Sequence, residues 1–226
     1  MNVAIIPARK NSQRIKNKNI KIFNGKPIIY WSIKSAIRSN LFSEVFVSTD
    51  SKKIADLSNQ YGAKVLYPRP KKLSDAYTKI IDVIKFEIKN LEDQKIRFDN
   101  VCCIFPAAPF IKKSYLKKSL NLLKQIKSKG FVFAANEIKK NNLRSFYFKK
   151  DKLNLVRRDF QNTRTQDLPR MFVDSGQFYW GKKKLWLKER SIFIKNSKCY
   201  HLPRYKSIDI DNLADWKEAE FYAKKK

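Results

Sequence analysis

"AIIPARKNSQRIKNKNI", residues 4–20, runs from an apolar stretch into a dense basic one. The apolar run ends at Pro7, and Arg9, Lys10, Arg14, Lys16 and Lys18 follow at once. A short continuous apolar run of this kind predicts a strand buried on both faces, as in a parallel sheet covered by helices. Its carboxyl end opens into a loop of cations, at the end of the strand where such sheets hold ligands.

The same pattern repeats outward from that strand. "PIIYWSIKSAIRSN" (27–40) has apolar residues at helical spacing, with Pro27 suited to a first turn. "EVFVST" (44–49) predicts a second strand. "SKKIADLSNQYG" (51–62) predicts a helix capped by Ser51 and stopped at Gly62. "AKVLY" (63–67), "NVCCIF" (100–105) and "FVFAAN" (131–136) predict three more strands. "TKIIDVIKFEIKNL" (78–91) and "SYLKKSLNLLKQIKSKG" (114–130) predict the helices between them. Strand–helix alternation implies right-handed crossovers and an α/β fold around a mostly parallel sheet.

From 137 to 170 the chain turns polar, with brief β-like pieces such as "RSFYF" and "KLNLV". This predicts a small β-rich excursion, an inserted arm or dimerisation element on a single domain spanning 1–226. "GQFYWG" (176–181) predicts a strand, "CYHLPRYKSIDID" (199–211) a last extended segment, and "LADWKEAEFYAKK" (213–225) a closing helix.

The chain carries 50 Lys and Arg against 20 Asp and Glu, a formal charge of +30. Such a field attracts anions of many kinds. The lysines are spread along the whole chain and collect on no one element, which favours a solvated surface over a specific nucleic-acid footprint. Three cysteines, two of them adjacent in an apolar run, form neither a disulfide framework nor a zinc pattern, and fit a reducing cytoplasm. No secretory signal is visible, and the longest apolar stretch, "VCCIFPAAPFI" (101–111), is too short to span a bilayer.

Arg9, Arg14 and Lys18, interleaved with Asn11, Ser12 and Asn19, offer charge-assisted bonds to phosphate oxygens. The loop has neither the Walker pattern nor GxGxxG, so it is not a P-loop or a dinucleotide loop. Asp209 and Asp211 in "SIDID" alternate along an extended segment and so point to one face. They form either a hard-cation site or an exposed repulsive pair; Mg²⁺ takes one or two carboxylates together with substrate phosphates. The lone His201 and the aromatic run "FYWG" (178–181) read as structural. Asp50, after the second strand, reads first as a helix cap and second as a group facing the ligand edge of the sheet.

The blocks "IIPARKNSQRIKNKN", "GKPIIYWSI", "VFVSTDSKKIADLSNQYGA", "RPKKLSDAYT", "FPAAPF", "TRTQDLP", "VDSGQFYWG" and "SIDIDNLADW" occur in this order. Together, from about residue 3 to 220, they resemble the cytidylyltransferases that activate nine-carbon α-keto acid sugars, the CMP-sialic acid synthetase family. "FPAAPF" and "SGQFYWG" are more similar to its pseudaminic acid branch than to its N-acetylneuraminate branch, which has a "QPTSP"-like stretch in place of "FPAAP".

The resemblance implies a Rossmann-like nucleotidyltransferase sheet, CTP as donor, Mg²⁺, a CMP-sugar and pyrophosphate as products, and a homodimer. It implies that the first loop holds the nucleotide through Ala8, Arg9, Ser12, Arg14, Lys18 and Asn19, with Arg69 at the cytosine end. Asp209 and Asp211 are the implied metal ligands, and Arg9, Lys18 and Asp211 the residues nearest the chemistry. Phe105, Ala107, Asp174, Gly176, Gln177 and Tyr179 are implied on the sugar side. Arg164 and Gln166 belong to the implied arm that can reach a neighbouring subunit. This chain departs from the family at "SQR", where related loops often read "SKR". Gln13 stands at that lysine's place, and Arg14 or Lys16 is left to compensate. Asp75 and Thr78 also sit in a stretch that departs from the pattern. Two alternatives stay open within the family, an N-acetylneuraminate or legionaminate enzyme and an inactive member kept for assembly. A basic nucleic-acid-binding protein is the alternative outside it.

Overall fold

Val3 and Ile5 face one side of strand β1 (Asn2–Pro7), Ala4 and Ile6 face the other, and all four are fully buried. That double burial is what a central strand requires, and it organises the computed structural model, which describes residues 1–127, 129–138 and 142–225. β1 pairs in parallel with β4 (Glu44–Ser48) on one side and β5 (Asn100–Ile104) on the other. Between β1 and β4 lie a two-residue ribbon, β2 (Ile22–Phe23) with β3 (Lys26–Pro27), and helix α1 (Ile28–Ser39). Helices α2 (Lys52–Gln60) and α3 (Ile80–Asp93) precede β5, and α4 (Lys113–Gln125) precedes β6 (Val132–Glu137). A hairpin, β7 (Phe146–Lys149) and β8 (Lys152–Leu155), stands apart. Then come β9 (Phe172–Lys182), α5 (Lys183–Lys188), β10 (Lys198–His201) and α6 (Leu213–Lys224).

The sheet order is β10-β6-β9-β5-β1-β4. One face packs Ala4, Ile6, Val47 and Cys102 against Ile29 and Ile33 of α1 and Leu116 and Leu120 of α4. The other packs Val3, Ile5, Val101 and Cys103 against Ile84 and Ile88 of α3 and Trp186 of α5. The result is the expected three-layer α/β fold. A third cluster, Ile15, Phe23, Phe110, Ile208, Ile210 and Trp216, anchors the basic loop and the acidic segment to α6.

Two expectations need correction. "AKVLY" is not a strand: Lys64 makes one parallel bridge to Phe46 and the ladder stops. Pro68 and Pro70 follow closely, and proline supplies no ladder donor and restricts the residue before it. The sheet is mostly parallel as expected, with β9 running antiparallel to both β5 and β6. Residues 208–211 are irregular and not extended in a sheet. Burial of Ile208 and Ile210 nonetheless turns the intervening acids the other way.

In the 137–170 excursion, β7 and β8 pair only with each other, and Lys139, Lys140 and Asn141 lie outside the described residues. The expected 114–130 helix ends at Gln125, and its Ser128 likewise lies outside them. Among the described residues no helix is long and apolar enough to cross a membrane.

Candidate active site

A cavity of about 400 Å³ opens at the carboxyl ends of β1 and β5, within the size range of small-molecule sites. The basic loop forms one wall through Arg9, Ser12, Gln13, Arg14, Lys18 and Asn19. Ile15, buried between Arg14 and Lys16, pins the loop's middle to the third core cluster, so its neighbours are held at the surface. Asn17 takes a left-handed conformation (φ 55°) and starts a short 3₁₀ turn, Lys18–Ile20. The buried Asn19 amide closes the loop by donating Nδ2 to the Arg9 carbonyl at 2.9 Å. Its Oδ1 has no protein partner among the described residues, so an acceptor is left at the wall of the cavity. A buried orphan acceptor of this kind suits a ligand donor.

Lys18 donates Nζ to the Ile210 carbonyl at 2.7 Å and lies 3.7 Å from Asp211 Oδ1. Burial pushes its ammonium down from the ordinary lysine value, while Asp211 and Asp209 oppose the shift. Arg14 Nη2 meets the same Asp211 oxygen at 2.7 Å. Asp209 lines the cavity, and no donor among the described residues bonds its carboxylate. Its outer surface is open to solvent, yet protein surrounds it on the remaining sides. That partial desolvation, with the neighbouring Asp211 charge, pushes its acid up to about 6. Among the described residues no group of three or more His, Cys, Asp or Glu gathers. Two carboxylates facing a cationic loop match the hard-cation pattern in which phosphate oxygens complete the shell.

Arg69 lines the opposite wall and is 5% exposed. Its backbone N–H bonds the Thr49 carbonyl at 2.8 Å and its Nε bonds Ser74 Oγ at 3.1 Å. Burial lowers its pKa from the ordinary value, with Asp50 (4.0 Å) and the buried Glu87 opposing. Glu87 in turn is raised by burial. Asp50 is not the helix cap: Ser51 caps α2 by accepting from Ile54 N–H. Asp50 instead accepts from Lys10 N–H at 2.6 Å and faces Arg69, the second of the two sequence expectations. Arg9 Nη1 crosses to the Asp75 carbonyl at 2.6 Å, linking the basic loop to the 71–79 loop. Asp75 is fixed by three bonds to its Oδ1, from Tyr77 N–H, Thr78 N–H and Thr78 Oγ1. The Thr78 bonds are the main reason its carboxyl is held low.

Of the residues expected at the site, Arg9, Ser12, Arg14, Lys18, Asn19, Arg69, Phe105, Ala107, Gly176 and Asp209 line this one cavity. Asp211 sits just behind, on Arg14 and Lys18. Ala8 is buried, its N–H given to the Ser48 carbonyl. Asp174, Gln177 and Tyr179 do not line the cavity, and Gln177 and Tyr179 are buried. Arg164 and Gln166 are exposed and outside the cavity, with Arg164 paired to Asp167 at 2.6 Å. Ile80 and Val83 also line the cavity, and sequence reasoning missed them because they fit the apolar stripe of α3.

The cytidylyltransferase family model matches residues 3–223. The pseudaminic acid cytidylyltransferase of Campylobacter jejuni is 38% identical over 224 residues, covering 99% of this chain and 96% of its own length. The CMP-N,N'-diacetyllegionaminic acid synthase of Legionella pneumophila is 28% identical, covering 95% and 92%. Among solved structures, CMP:2-keto-3-deoxy-manno-octonic acid synthetase complexed with CTP superposes with a TM-score of 0.71 at 16% identity. That match covers 99% of this chain and 98% of the other. At that identity the likeness is one of fold.

Proposed function

This chain belongs to the cytidylyltransferase family, and we propose that it transfers CMP from CTP to the anomeric hydroxyl of pseudaminic acid, releasing pyrophosphate. The observation that carries the proposal is the cavity in which Arg9, Arg14 and Lys18 face Asp209 across the carboxyl end of β1. The full-length similarity to the Campylobacter enzyme supports the choice of sugar.

The triphosphate lies over the basic loop, where Arg9, Ser12 and Lys18 bind its oxygens. Arg69, held rigidly by Thr49 and Ser74, marks the cytosine end. The sugar stands on the Phe105 and Ala107 side, with its hydroxyl oxygen in line with the α-phosphorus. A new P–O bond forms there as the bond to the leaving pyrophosphate breaks, and the hydroxyl proton passes to solvent. The cations of the loop balance the charge that moves onto the leaving group. Catalysis of this kind consists mainly of positioning and electrostatics. Asp209 and Asp211 would hold Mg²⁺, which supplies charge neutralisation at the phosphates.

The arm is the contact for a second copy of the chain. Phe146, Tyr147, Phe148 and Leu153 are exposed on the hairpin, more apolar surface than a solvated ribbon requires. Arg164 and Gln166, outside their own cavity, serve a neighbour's on this reading.

Pyrophosphate release with CTP and Mg²⁺, compared across pseudaminic, legionaminic and N-acetylneuraminic acids, tests the function. Pseudaminic acid should give the highest kcat/KM. A preference for neuraminate would overturn the sugar assignment, and no release with any of the three would leave the inactive-member alternative standing.

A further inference from the structure

Gly176 lines the cavity, but it is held by Asp174, which does not. It sits at φ +58°, in the bulge where β9 slips register against β6 between Tyr179 and Asp174. A Cβ at this position would stand 2.6 Å from Asp209 Oδ1, 2.7 Å from Cγ and 2.9 Å from Oδ2. The Asp209 carboxylate therefore rests directly on the bare Cα, and any side chain there would displace it.

The bulge is held in turn. Gly176 N–H donates to Asp174 Oδ1 at 3.0 Å, and Tyr179 donates its hydroxyl to Asp174 Oδ2. Tyr179 is buried, edge-on to Phe105 with ring centroids 5.1 Å apart. Gln177 Nε2 donates to the Ser175 carbonyl at 2.9 Å and to the Ile208 carbonyl at 3.2 Å, tying the bulge to the residue before Asp209. Both Asp174 oxygens thus serve protein donors, and neither Asp174 nor Tyr179 lines the cavity.

We propose that Tyr179, Asp174 and Gly176 form a brace that sets the position of the Asp209 carboxylate for its cation, and that Asp174 and Tyr179 are positioning residues and not sugar contacts. This rests on Asp209 being a metal carboxylate, as argued above. Outer partners that orient a metal ligand commonly govern affinity for the ion as much as the ligand's identity does.

The test uses Mn²⁺ as the probe. Free Mn²⁺ is titrated by electron paramagnetic resonance in the presence of CTP, for wild type, Tyr179→Phe, Asp174→Asn and Gly176→Ala. The KM for the sugar is measured alongside at saturating Mg²⁺. Tyr179→Phe keeps the ring and its packing and removes one hydroxyl, so the test survives if Gly176→Ala fails to fold. Loss of the brace should weaken Mn²⁺ binding by about 10-fold or more in Asp174→Asn, and less in Tyr179→Phe. The sugar KM should stay near wild type, and raised Mg²⁺ should restore turnover. A higher sugar KM with unchanged Mn²⁺ affinity would make these residues sugar contacts and overturn the brace. Wild-type protein that binds no Mn²⁺ with CTP would overturn the metal reading itself, and the brace with it.

Discussion

Asp209 and Arg164 are both charged residues expected at the site, and their surroundings differ at every level. Asp209 follows a fully buried isoleucine, precedes another, rests on a glycine from β9 and feels Lys18 from the basic loop. Three segments distant in sequence meet at it. Arg164 is 74% exposed at its side chain and pairs with Asp167, three residues on. Among the described residues the hairpin before it pairs only with itself. Long-range burial gives the floor one geometry, whereas the arm's local contacts hold its shape without tying its charged groups to the cavity. On the proposed function, a second copy of the chain would complete the arm.

The widest gap between the two regions should appear in stability. Trp180, fully buried in β9 and stacked on Phe42, should cost about 3–5 kcal/mol when cut to alanine, read from denaturant unfolding. A loss below 1 kcal/mol would mean that the central antiparallel strand is not part of the core. The next effect is on turnover. Arg9→Ala removes one donor to developing charge and the link to the Asp75 carbonyl. It should lower kcat/KM by an amount equivalent to about 2–4 kcal/mol. Wild-type turnover with CTP would remove Arg9 from the site.

Acidification should separate binding from folding at the floor. The Asp209 acid is raised to about 6, by partial desolvation and then by Asp211 and Asp174, against Lys18. Below that pH a proton occupies the carboxylate and competes with any cation. Mn²⁺ affinity should fall by up to about 10-fold per pH unit through this window. Stability moves the other way. The folded form takes up this proton before the unfolded chain does, so Asp209's share of stability is greatest at low pH and is lost as pH rises through 6. Binding that fails only when the protein unfolds would refute the separation. The smallest effect belongs to the arm. Phe148→Ser should leave the unfolding free energy of the dilute monomer within about 0.5 kcal/mol while shifting sedimentation from dimer to monomer. A dimer that persists in this variant would move the interface away from the hairpin.

Much of this was legible beforehand. The double-sided apolar run of β1 announced a covered central strand, and "SIDID" announced alternation that burial of Ile208 and Ile210 enforces even without a sheet partner. The basic loop could be placed because a strand end and a run of cations are both local features. What escaped was set by contacts between distant segments. The direction of β9 depends on which neighbours it meets, and nothing within "GQFYWG" encodes that. Asp50 looked like a cap because Ser51 beside it offers the same chemistry. Whether Asp174 and Tyr179 face a ligand or each other depends on a bulge invisible in the residue pattern.

Arg14 and Asp211 hold each other at 2.7 Å, and on the proposed function that contact would couple two binding events. A polyphosphate entering the loop competes with Asp211 for the guanidinium. A divalent cation arriving at the acids competes with Arg14 for the carboxylate. Each ligand, in displacing its rival, releases the group the other requires. Such coupling is reciprocal in free energy, so whatever factor nucleotide adds to metal affinity, metal returns to nucleotide. The ion pair would then make the cavity a two-key lock, in which either ligand alone works against a partner already in place.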